Sequence, residues 1–238
     1  MNGRRILVAD IETTHLTANF GTGLCAGHKW FDEPEDSVKI ISIRDFKGWR
    51  RDPTDDSRLF KALYDVWMKA DMVVTYFGAA TTKNGHDEPF FISKLIEHGL
   101  PVLPEVAHVD LWKVARKYLK LHSRRLDVVS EFIGIEDKKT PVKATVWKRA
   151  MVGIPADIEY VEDHCRRDVI ITDKTYRKLR VYDRTHPRLG GPGQCRYCGS
   201  NRLQFRGGAV TRSFGIKYRV QCQSCGGWEN RSKGKEEK

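Results

Sequence analysis

Four cysteines near the end of the chain constrain its fold more than any other feature. They form two Cys-x-x-Cys pairs, Cys195 with Cys198 and Cys222 with Cys225, and a glycine follows each pair. Four thiolates at this spacing suit one tetrahedral Zn²⁺, and the glycines permit tight turns that bring backbone amides towards the sulfurs. Disulfide pairing is the alternative, and it is the weaker one in a chain that we expect not to be secreted. The pattern therefore predicts one structural zinc ion held by these four cysteines.

The 23 residues between the two pairs predict a small β module. Leu203–Phe205 and Ile216–Val220 alternate as strands do, and the whole segment resembles a zinc ribbon, whose core is too small to fold without its metal. Its cations and aromatic rings can hold a nucleic-acid backbone and stack unpaired bases; the alternative is a ribbon that docks another protein, such as one of replication or repair. These side chains are Arg196, Arg202, Arg206, Arg212, Lys217, Arg219, Tyr197, Phe205, Phe214, Tyr218 and Trp228.

The net charge of +11 is concentrated in this module. Residues 194–238 carry 10 Lys and Arg against 3 acids, a net of +7, whereas residues 1–193 carry 32 against 28, a net of +4. The glycines and prolines between 186 and 193 resist helix and strand and indicate a linker. We therefore predict one domain over residues 1–183, a linker over 184–193, and the ribbon with a charged tail over 194–238. The positive balance indicates a polyanionic partner, nucleic acid before a membrane surface.

The first 183 residues alternate strand-like and helix-like segments. Ile6–Ile11 and Met72–Phe77 have the apolar runs of buried strands, and Trp30–Phe31 and Val38–Ile43 are predicted as neighbours of the first. Helices are predicted over Ser57–Ala70, Pro89–His98, Leu111–Leu119, Leu126–Ile133 and Ala156–Leu179. This order indicates an α/β fold in which helices cover a mixed β-sheet.

No stretch of the sequence approaches the roughly 20 apolar residues of a membrane-spanning helix. The chain enters a strand-like segment at Ile6 without a leader pattern before it. We therefore expect a cytoplasmic protein with no membrane partner.

Two acids lie side by side at the end of the first predicted strand. Because strand side chains alternate, Asp10 and Glu12 share one face while Ile11 points into the core. Adjacent carboxylates repel unless a cation lies between them, and hard oxygen ligands without a neighbouring His or Cys favour Mg²⁺ or Mn²⁺ over zinc. The alternative is an exposed strand end with two solvated acids.

Three more polar side chains complete the candidate site. Asp87 follows the next buried strand at a junction of loop and helix, where an acid can bind metal or simply cap the helix. His164 and Asp168 are four residues apart on a later helix and therefore share a face, which places an imidazole one turn from a carboxylate. An exposed ion pair is the alternative for these two.

Together these segments resemble the DEDD superfamily of 3′–5′ exonucleases, which have a ribonuclease H-like fold. The resemblance covers about residues 4–182 and rests on the Asp-Ile-Glu-Thr strand, the Asn-Gly…Asp…Pro-Phe segment and the His-Cys-Arg-Arg-Asp-Val helix. It implies that Asp10, Glu12, Asp87 and Asp168 hold two divalent metal ions, Mg²⁺ or Mn²⁺, with Asp10 bridging them.

The chain departs from the family pattern at the fifth catalytic position. One branch has a tyrosine four residues before the last acid and the other has a histidine five before it, whereas His164 lies at the tyrosine spacing. The resemblance implies that His164 orients or deprotonates the attacking water, since an unperturbed imidazole titrates near neutrality. It also implies that Thr13 and Thr14 contact the terminal nucleotide and that Leu16 lies against its base; ordinary turn roles are the alternative for these three.

Several nearby residues have simpler interpretations. Asp110 and Asp127 match acids that recur in relatives, and helix capping explains both. Arg124-Arg125 and Lys138-Lys139 are candidates for phosphate contacts, although paired surface cations are usually just solvated. Core packing is the expected role of the tryptophans at helical apolar positions, which are Trp67, Trp112 and Trp147.

The resemblance therefore implies a metal-dependent 3′–5′ exonuclease that hydrolyses DNA or RNA through two metal ions. We expect single-stranded DNA or a 3′ end as the favoured substrate, with the ribbon assisting its binding. A resemblance to small phage-encoded exonucleases would place the protein in a host cytoplasm. One alternative is an endonuclease or junction resolvase on the same fold. The other is a non-catalytic zinc-ribbon adaptor for nucleic acid or protein that carries a degenerate nuclease domain.

Overall fold

A five-stranded mixed sheet forms the centre of the first part of the chain in the computed structural model, which describes residues 4–211 and 215–232. The strand order is β3-β2-β1-β4-β5. The central strand β1 pairs antiparallel with β2 and parallel with β4, and β5 extends the parallel side. The strands are β1 (Ile6–Thr13), β2 (Gly23–Trp30), β3 (Lys39–Ser42), β4 (Met72–Thr75) and β5 (Ala107–Asp110). The predicted mixed sheet is confirmed.

Six helices accompany this sheet within the described residues. They are α1 (Ser57–Trp67), α2 (Asp87–Glu97), α3 (Leu111–Tyr118), α4 (Leu126–Phe132), α5 (Ala144–Met151) and α6 (Pro155–Leu179). Five of them coincide with predicted helices to within a few residues at each end. The prediction missed α5 and β5, whose eight and four residues are too short to show a clear period.

The prediction also recognised only the end of β2. Gly27 lowers the strand propensity of this segment. The structure gives a packing reason for a glycine at this position. A Cβ atom on Gly27 would lie 2.9 Å from the Cys165 Sγ atom, which is closer than atoms pack. The glycine therefore lets α6 approach the sheet.

The core joins the sheet to α1, α2 and α6. Aromatic rings dominate its centre: Phe60 stacks on Phe91 at 5.7 Å between ring centroids, and Trp67 meets Phe91 edge-on at 5.4 Å. Lys29 on β2 and Asp173 on α6 form a buried ion pair at 3.4 Å. Removing either charge would destabilise the folded protein, because it would leave the other charge buried without a partner.

A separate three-stranded antiparallel sheet contains the cysteine pairs. Its strands are β6 (Leu203–Thr211), β7 (Gly215–Cys222) and β8 (Trp228–Ser232), in the order β6-β7-β8. The first two confirm the predicted strands and extend them, whereas β8 was not predicted. Arg212, Phe214 and the charged tail from Lys233 to Lys238 lie outside the described residues.

The chain divides into two compact units, with the division between residues 176 and 177. The first unit contains the five-stranded sheet, and the second contains the three-stranded sheet. The predicted domain limits at 183 and 194 stay a prediction. Among the described residues, no helix combines the length and the apolar character that crossing a membrane requires.

Candidate active site

The end of β1 carries the first two acids of the candidate site. Parallel pairing with β4 reaches Val8, and β1 continues beyond it to Thr13. Ile11 is buried in the core, while Asp10 and Glu12 are only partly covered, as strand alternation predicts. A β-bulge at Glu12/Thr13 in the pairing with β2 turns the strand at this point.

Asp87 is placed by the loop between β4 and α2. It is the first residue of α2 and only 5% exposed, and the helix has no side-chain cap at its N-terminus. The capping alternative for Asp87 is therefore wrong. A Cβ atom on Gly78 would lie 2.2 Å from the Asp87 Oδ2 atom, so the loop backbone passes directly beside the carboxylate.

Asp110, at the end of β5, holds this loop in place. Its carboxylate accepts hydrogen bonds from the Phe77 backbone N–H at 2.9 Å, the Ala79 N–H at 3.2 Å and the Thr82 hydroxyl at 2.5 Å. It also caps α3 by accepting from the Trp112 N–H at 2.9 Å, as predicted. Phe77 has a φ of 67°, a strained value for a residue with a side chain, and the bond to Asp110 stabilises it.

The third element is α6, which brings His164 and Asp168 to the same place. The His164 Nε2 atom lies 3.5 Å from a Glu12 carboxylate oxygen and 3.8 Å from an Asp168 carboxylate oxygen. These two side chains do not form the exposed ion pair that was the alternative, because only 12% of the His164 side chain and 7% of the Asp168 side chain are exposed. The sequence did not reveal a further contact, an ion pair between Lys139 and Asp168.

Burial and mutual repulsion raise the pKa values of three of the acids. Burial first, and then the charge of Asp168, raise the pKa of Asp10 to about 7. Burial and the charge of Asp10 raise the pKa values of Glu12 and Asp87 well above their usual range. The cluster therefore has an unfavourable concentration of negative charge that a bound cation would relieve.

The two basic groups in the cluster respond in opposite ways. Burial lowers the pKa of His164 and favours its neutral form, although Asp168 acts against this. Burial also disfavours the charged form of Lys139, but the charge and hydrogen bond of Asp168, together with the charges of Asp10 and Glu12, raise the pKa of Lys139 above its usual value. Lys139 is therefore a cation at neutral pH, and His164 is a group that can accept a proton.

The donor set fits a hard divalent cation. Asp10 Oδ2, Asp87 Oδ2 and Asp168 Oδ1 are buried, and none has a hydrogen-bond partner among the described residues. Ligand atoms of Glu12, His164 and Asp168 lie within 4.8 Å of one another. Carboxylate oxygens are the preferred ligands of Mg²⁺ and Mn²⁺, and unsatisfied buried carboxylates are otherwise expensive.

These residues line one groove of about 990 Å³. All five predicted catalytic residues lie in it, and so does Leu16, which is 80% exposed. Thr13 and Thr14 are not on its wall: the Thr13 Oγ1 atom lies 3.0 Å from His86 Nε2, and the Thr14 hydroxyl accepts from the Thr22 N–H at 2.8 Å. The groove wall also includes Tyr76, Phe77, His86, Trp112, Arg124, Arg125 and Asp127.

Sequence reasoning missed part of this wall. Trp112 was interpreted as a core residue, yet it lines the groove and meets Phe77 edge-on at 5.1 Å, whereas Trp67 is buried as expected. His86 directly precedes Asp87, and that adjacency was the available signal. No local pattern separates Lys139 from Lys138, because only the folded chain brings the former to Asp168.

The four cysteines of the second unit form one cluster. Their sulfurs all lie within 4.8 Å of one another, with Cys195 and Cys225 at 3.6 Å and Cys198 and Cys222 at 3.7 Å. Backbone N–H groups of Tyr197 and Ser224 approach the sulfurs of Cys195 and Cys222 at 3.4 Å. The cluster is consistent with the predicted zinc ribbon.

The two other cysteines are separate from this cluster. Cys25 and Cys165 are buried and form no disulfide. The Cys165 thiol donates to the Asp10 backbone carbonyl at 3.6 Å, so it packs behind the acid strand.

Comparisons with known proteins match the first unit. The profile of the RNase H superfamily matches residues 7–180, a span that contains every acid of the groove. NrnC of Brucella melitensis aligns at 16% identity with a TM-score of 0.44, covering 76% of this chain and 76% of that one. The structure of Brucella melitensis NrnC with bound Mg²⁺ aligns at 17% identity with a TM-score of 0.41, covering 76% of each chain.

Another solved structure is described as the apo form of a nuclease. It aligns at 16% identity with a TM-score of 0.43 and covers 75% of this chain and 72% of that one. A search of curated proteins finds no match.

Proposed function

Since the chain belongs to the RNase H superfamily, we propose that it is a metal-dependent nuclease that removes nucleotides from the 3′ end of DNA or RNA. One observation carries this proposal: four carboxylates from three separate elements, Asp10, Glu12, Asp87 and Asp168, converge on one groove. Three of them have buried oxygen atoms without hydrogen-bond partners among the described residues. Such a cluster is unfavourable for stability alone and favourable for binding cations.

The carboxylates would hold Mg²⁺ or Mn²⁺, two ions by the family resemblance. When bound, such ions stabilise the negative charge that develops on the attacking and leaving oxygens of a phosphodiester. His164 lies within 3.8 Å of both Glu12 and Asp168, and burial keeps its pKa below the usual value. In its neutral form His164 would accept a proton from the attacking water at one ring nitrogen.

The groove also offers contacts for a terminal nucleotide. Leu16 is exposed at its edge and would pack against a base, while Arg124 and Arg125 would pair with phosphates. We propose that Thr13 and Thr14 shape the turn behind this contact, since their hydroxyls are engaged with His86 and Thr22. The preference for a chain end over an internal bond comes from the family resemblance.

The second unit would hold the nucleic acid that the groove cleaves. We propose that its four cysteines bind one structural Zn²⁺ and that the net charge of +7 on residues 194–238 attracts the phosphate backbone.

The test is digestion of 3′- and 5′-labelled DNA and RNA, single- and double-stranded, with Mg²⁺ or Mn²⁺. The proposal expects stepwise shortening from the 3′ end by the wild type and its loss in Asp10→Ala. Asp163→Ala, which removes an exposed acid on α6, is the control and keeps wild-type activity. Undiminished shortening in Asp10→Ala overturns the site assignment, and cleavage of circular substrates replaces the exonuclease with an endonuclease.

A further inference from the structure

The three-stranded sheet of the second unit has two chemically different faces. In β8, exposure alternates, with Trp228, Asn230 and Ser232 exposed and Glu229 and Arg231 half-buried between them. In β7, Val220 and Cys222 are buried towards the cysteine cluster. The face that carries Trp228 is therefore the outward one.

Strand register extends this outward face across the sheet. Gln221 pairs with Trp228, Arg219 with Asn230, and Lys217 with Ser232. Residues at paired positions point to the same side of a sheet, so both cations of β7 lie on the outward face. Arg219 is exposed, as this placement requires.

The edge strand β6 adds a third cation to the outward face. Gln204 pairs with Gln221, and the Arg206 guanidinium donates to the Gln221 Oε1 atom at 3.3 Å. This bond places the Arg206 side chain over the same surface. The outward face, defined by Gln204, Arg206, Lys217, Arg219, Gln221, Trp228 and Asn230, contains three cations and no acid.

On the inner face of the sheet, an acid and two arginines form ion pairs with one another. Glu229 is the one acid between residues 194 and 232. Arg188 and Arg231 form ion pairs with it at 3.1 and 2.5 Å. The only acid between residues 194 and 232 is therefore paired on the inner face, and among the described residues of the outward face no acid offsets Arg206, Lys217 and Arg219.

Trp228 is the aromatic ring of the outward face, and 48% of it is exposed. An exposed indole ring leaves apolar surface in contact with water. A nucleic-acid base can stack on such a ring, and only an unpaired base is free to do so. The cations lie on neighbouring strands, which are about 4.8 Å apart in a sheet. Cations placed around an exposed ring in this way can contact the phosphates on either side of a stacked base.

We propose that the outward face binds single-stranded nucleic acid, with Trp228 stacking on an unpaired base and Arg206, Lys217 and Arg219 contacting phosphates. This inference rests on the proposed nuclease function, which supplies the class of ligand. The complete lack of acids on the face favours a polyanion over a protein partner, whose surface normally carries charges of both signs.

The test uses the full-length, zinc-loaded chain with Asp10→Ala to prevent cleavage, and measures fluorescence anisotropy of labelled oligonucleotides. Trp228→Ala should weaken binding to a single strand by roughly tenfold, the usual worth of one stacked base, with partial recovery in Trp228→Phe. The double variant Lys217→Gln/Arg219→Gln should reduce the slope of log affinity against log salt by about 1.4. Arg188→Gln removes one cation from the inner face and should leave both quantities unchanged.

Equal zinc content in every variant excludes unfolding as the cause of weaker binding. Unchanged affinity in both Trp228→Ala and the double variant overturns the inference and leaves the face to a protein partner. Tighter binding to a blunt duplex than to a single strand overturns it as well. Cleavage by the wild-type chain is measured in a separate assay. A failure of the nuclease proposal is therefore distinguishable from a failure of this one.

Discussion

Lys139 has a special position among the single residues of the groove because it is a cation inside a cluster of acids. It forms an ion pair with Asp168, and the charges of Asp10 and Glu12 also favour its protonated form. A divalent cation that binds Asp168 must therefore compete with an ammonium group already there. We therefore expect Lys139 to stabilise the metal-free groove and, for the same reason, to weaken metal binding.

Replacing Lys139 tests this competition. Lys139→Met keeps the length of the side chain and removes its charge, so we expect Mn²⁺ to bind severalfold more tightly in isothermal titration calorimetry. The metal-free variant should also melt at a lower temperature, since the acids lose their counter-ion. Lys138→Met removes an exposed charge from the neighbouring residue and is the matched control. Weaker Mn²⁺ binding in Lys139→Met would show that Lys139 assists the metal rather than competing with it.

Among the elements, the loop between β4 and α2 determines where Asp87 lies. Asp110 at the end of β5 holds the loop through Phe77, Ala79 and Thr82, and the loop backbone at Gly78 presses against Asp87. One carboxylate thus positions another without entering the metal cluster. The strand ends of a parallel pair bring these groups together, as they do in other α/β sheets.

The substitution Gly78→Ala tests this dependence. A Cβ atom there would lie 2.2 Å from Asp87 Oδ2 and 2.6 Å from Thr75 Oγ1, so the loop or the carboxylate must move. Because a displacement of about 1 Å can cost roughly a hundredfold in rate, we expect a loss of that order in the cleavage rate and weaker Mn²⁺ binding. An alanine at Gly208 meets no atom within 4 Å and is the control. Wild-type rate and Mn²⁺ affinity in Gly78→Ala would contradict this account of the loop.

The elements also show how far sequence reasoning reaches. Alternation along β1 was sufficient to predict that Asp10 and Glu12 share a face, and a spacing of four was sufficient for His164 and Asp168. Both predictions depend on local geometry that repeats along a strand or helix. The residues alone left Asp87 open between metal binding and helix capping, because the two roles differ only in the conformation of the β4–α2 loop. Asp110, 23 residues later, holds that loop in place. Lys139 was out of reach for the same reason.

At the scale of the whole molecule, the clustered acids and the excess of cations lie in different units. Residues 194–238 carry +7 when their cysteines are counted as neutral thiols. Four thiolates around Zn²⁺ carry −4 and +2, so residues 194–238 with zinc bound would keep +5. Under the proposed function, the acids of the groove in the first unit would bind cations, and the excess of cations in the second unit would attract phosphate.

Zinc loading depends on the protonation of the four cysteines, because only thiolates bind the metal. Burial raises the pKa of Cys195 to about 11, whereas for Cys222 backbone hydrogen bonds from Cys225 and Ser224 outweigh burial and lower the pKa to about 7. At neutral pH Cys222 is therefore closer to its thiolate form than Cys195 is. As the pH falls, protons compete for all four sulfurs, so zinc should be lost on acidification and regained on neutralisation.

Native mass spectrometry of the full-length chain should therefore find one zinc ion at pH 8 and progressively less as the pH is lowered. Cys225→Ser removes one ligand and should reduce zinc occupancy at pH 8 and weaken oligonucleotide binding, because a core this small cannot hold its sheet without the metal. Gln223→Ala changes an exposed side chain within the same Cys-x-x-Cys pair and should keep the zinc. A wild-type chain that carries no zinc at pH 8, with its cysteines joined as disulfides, would refute the zinc assignment.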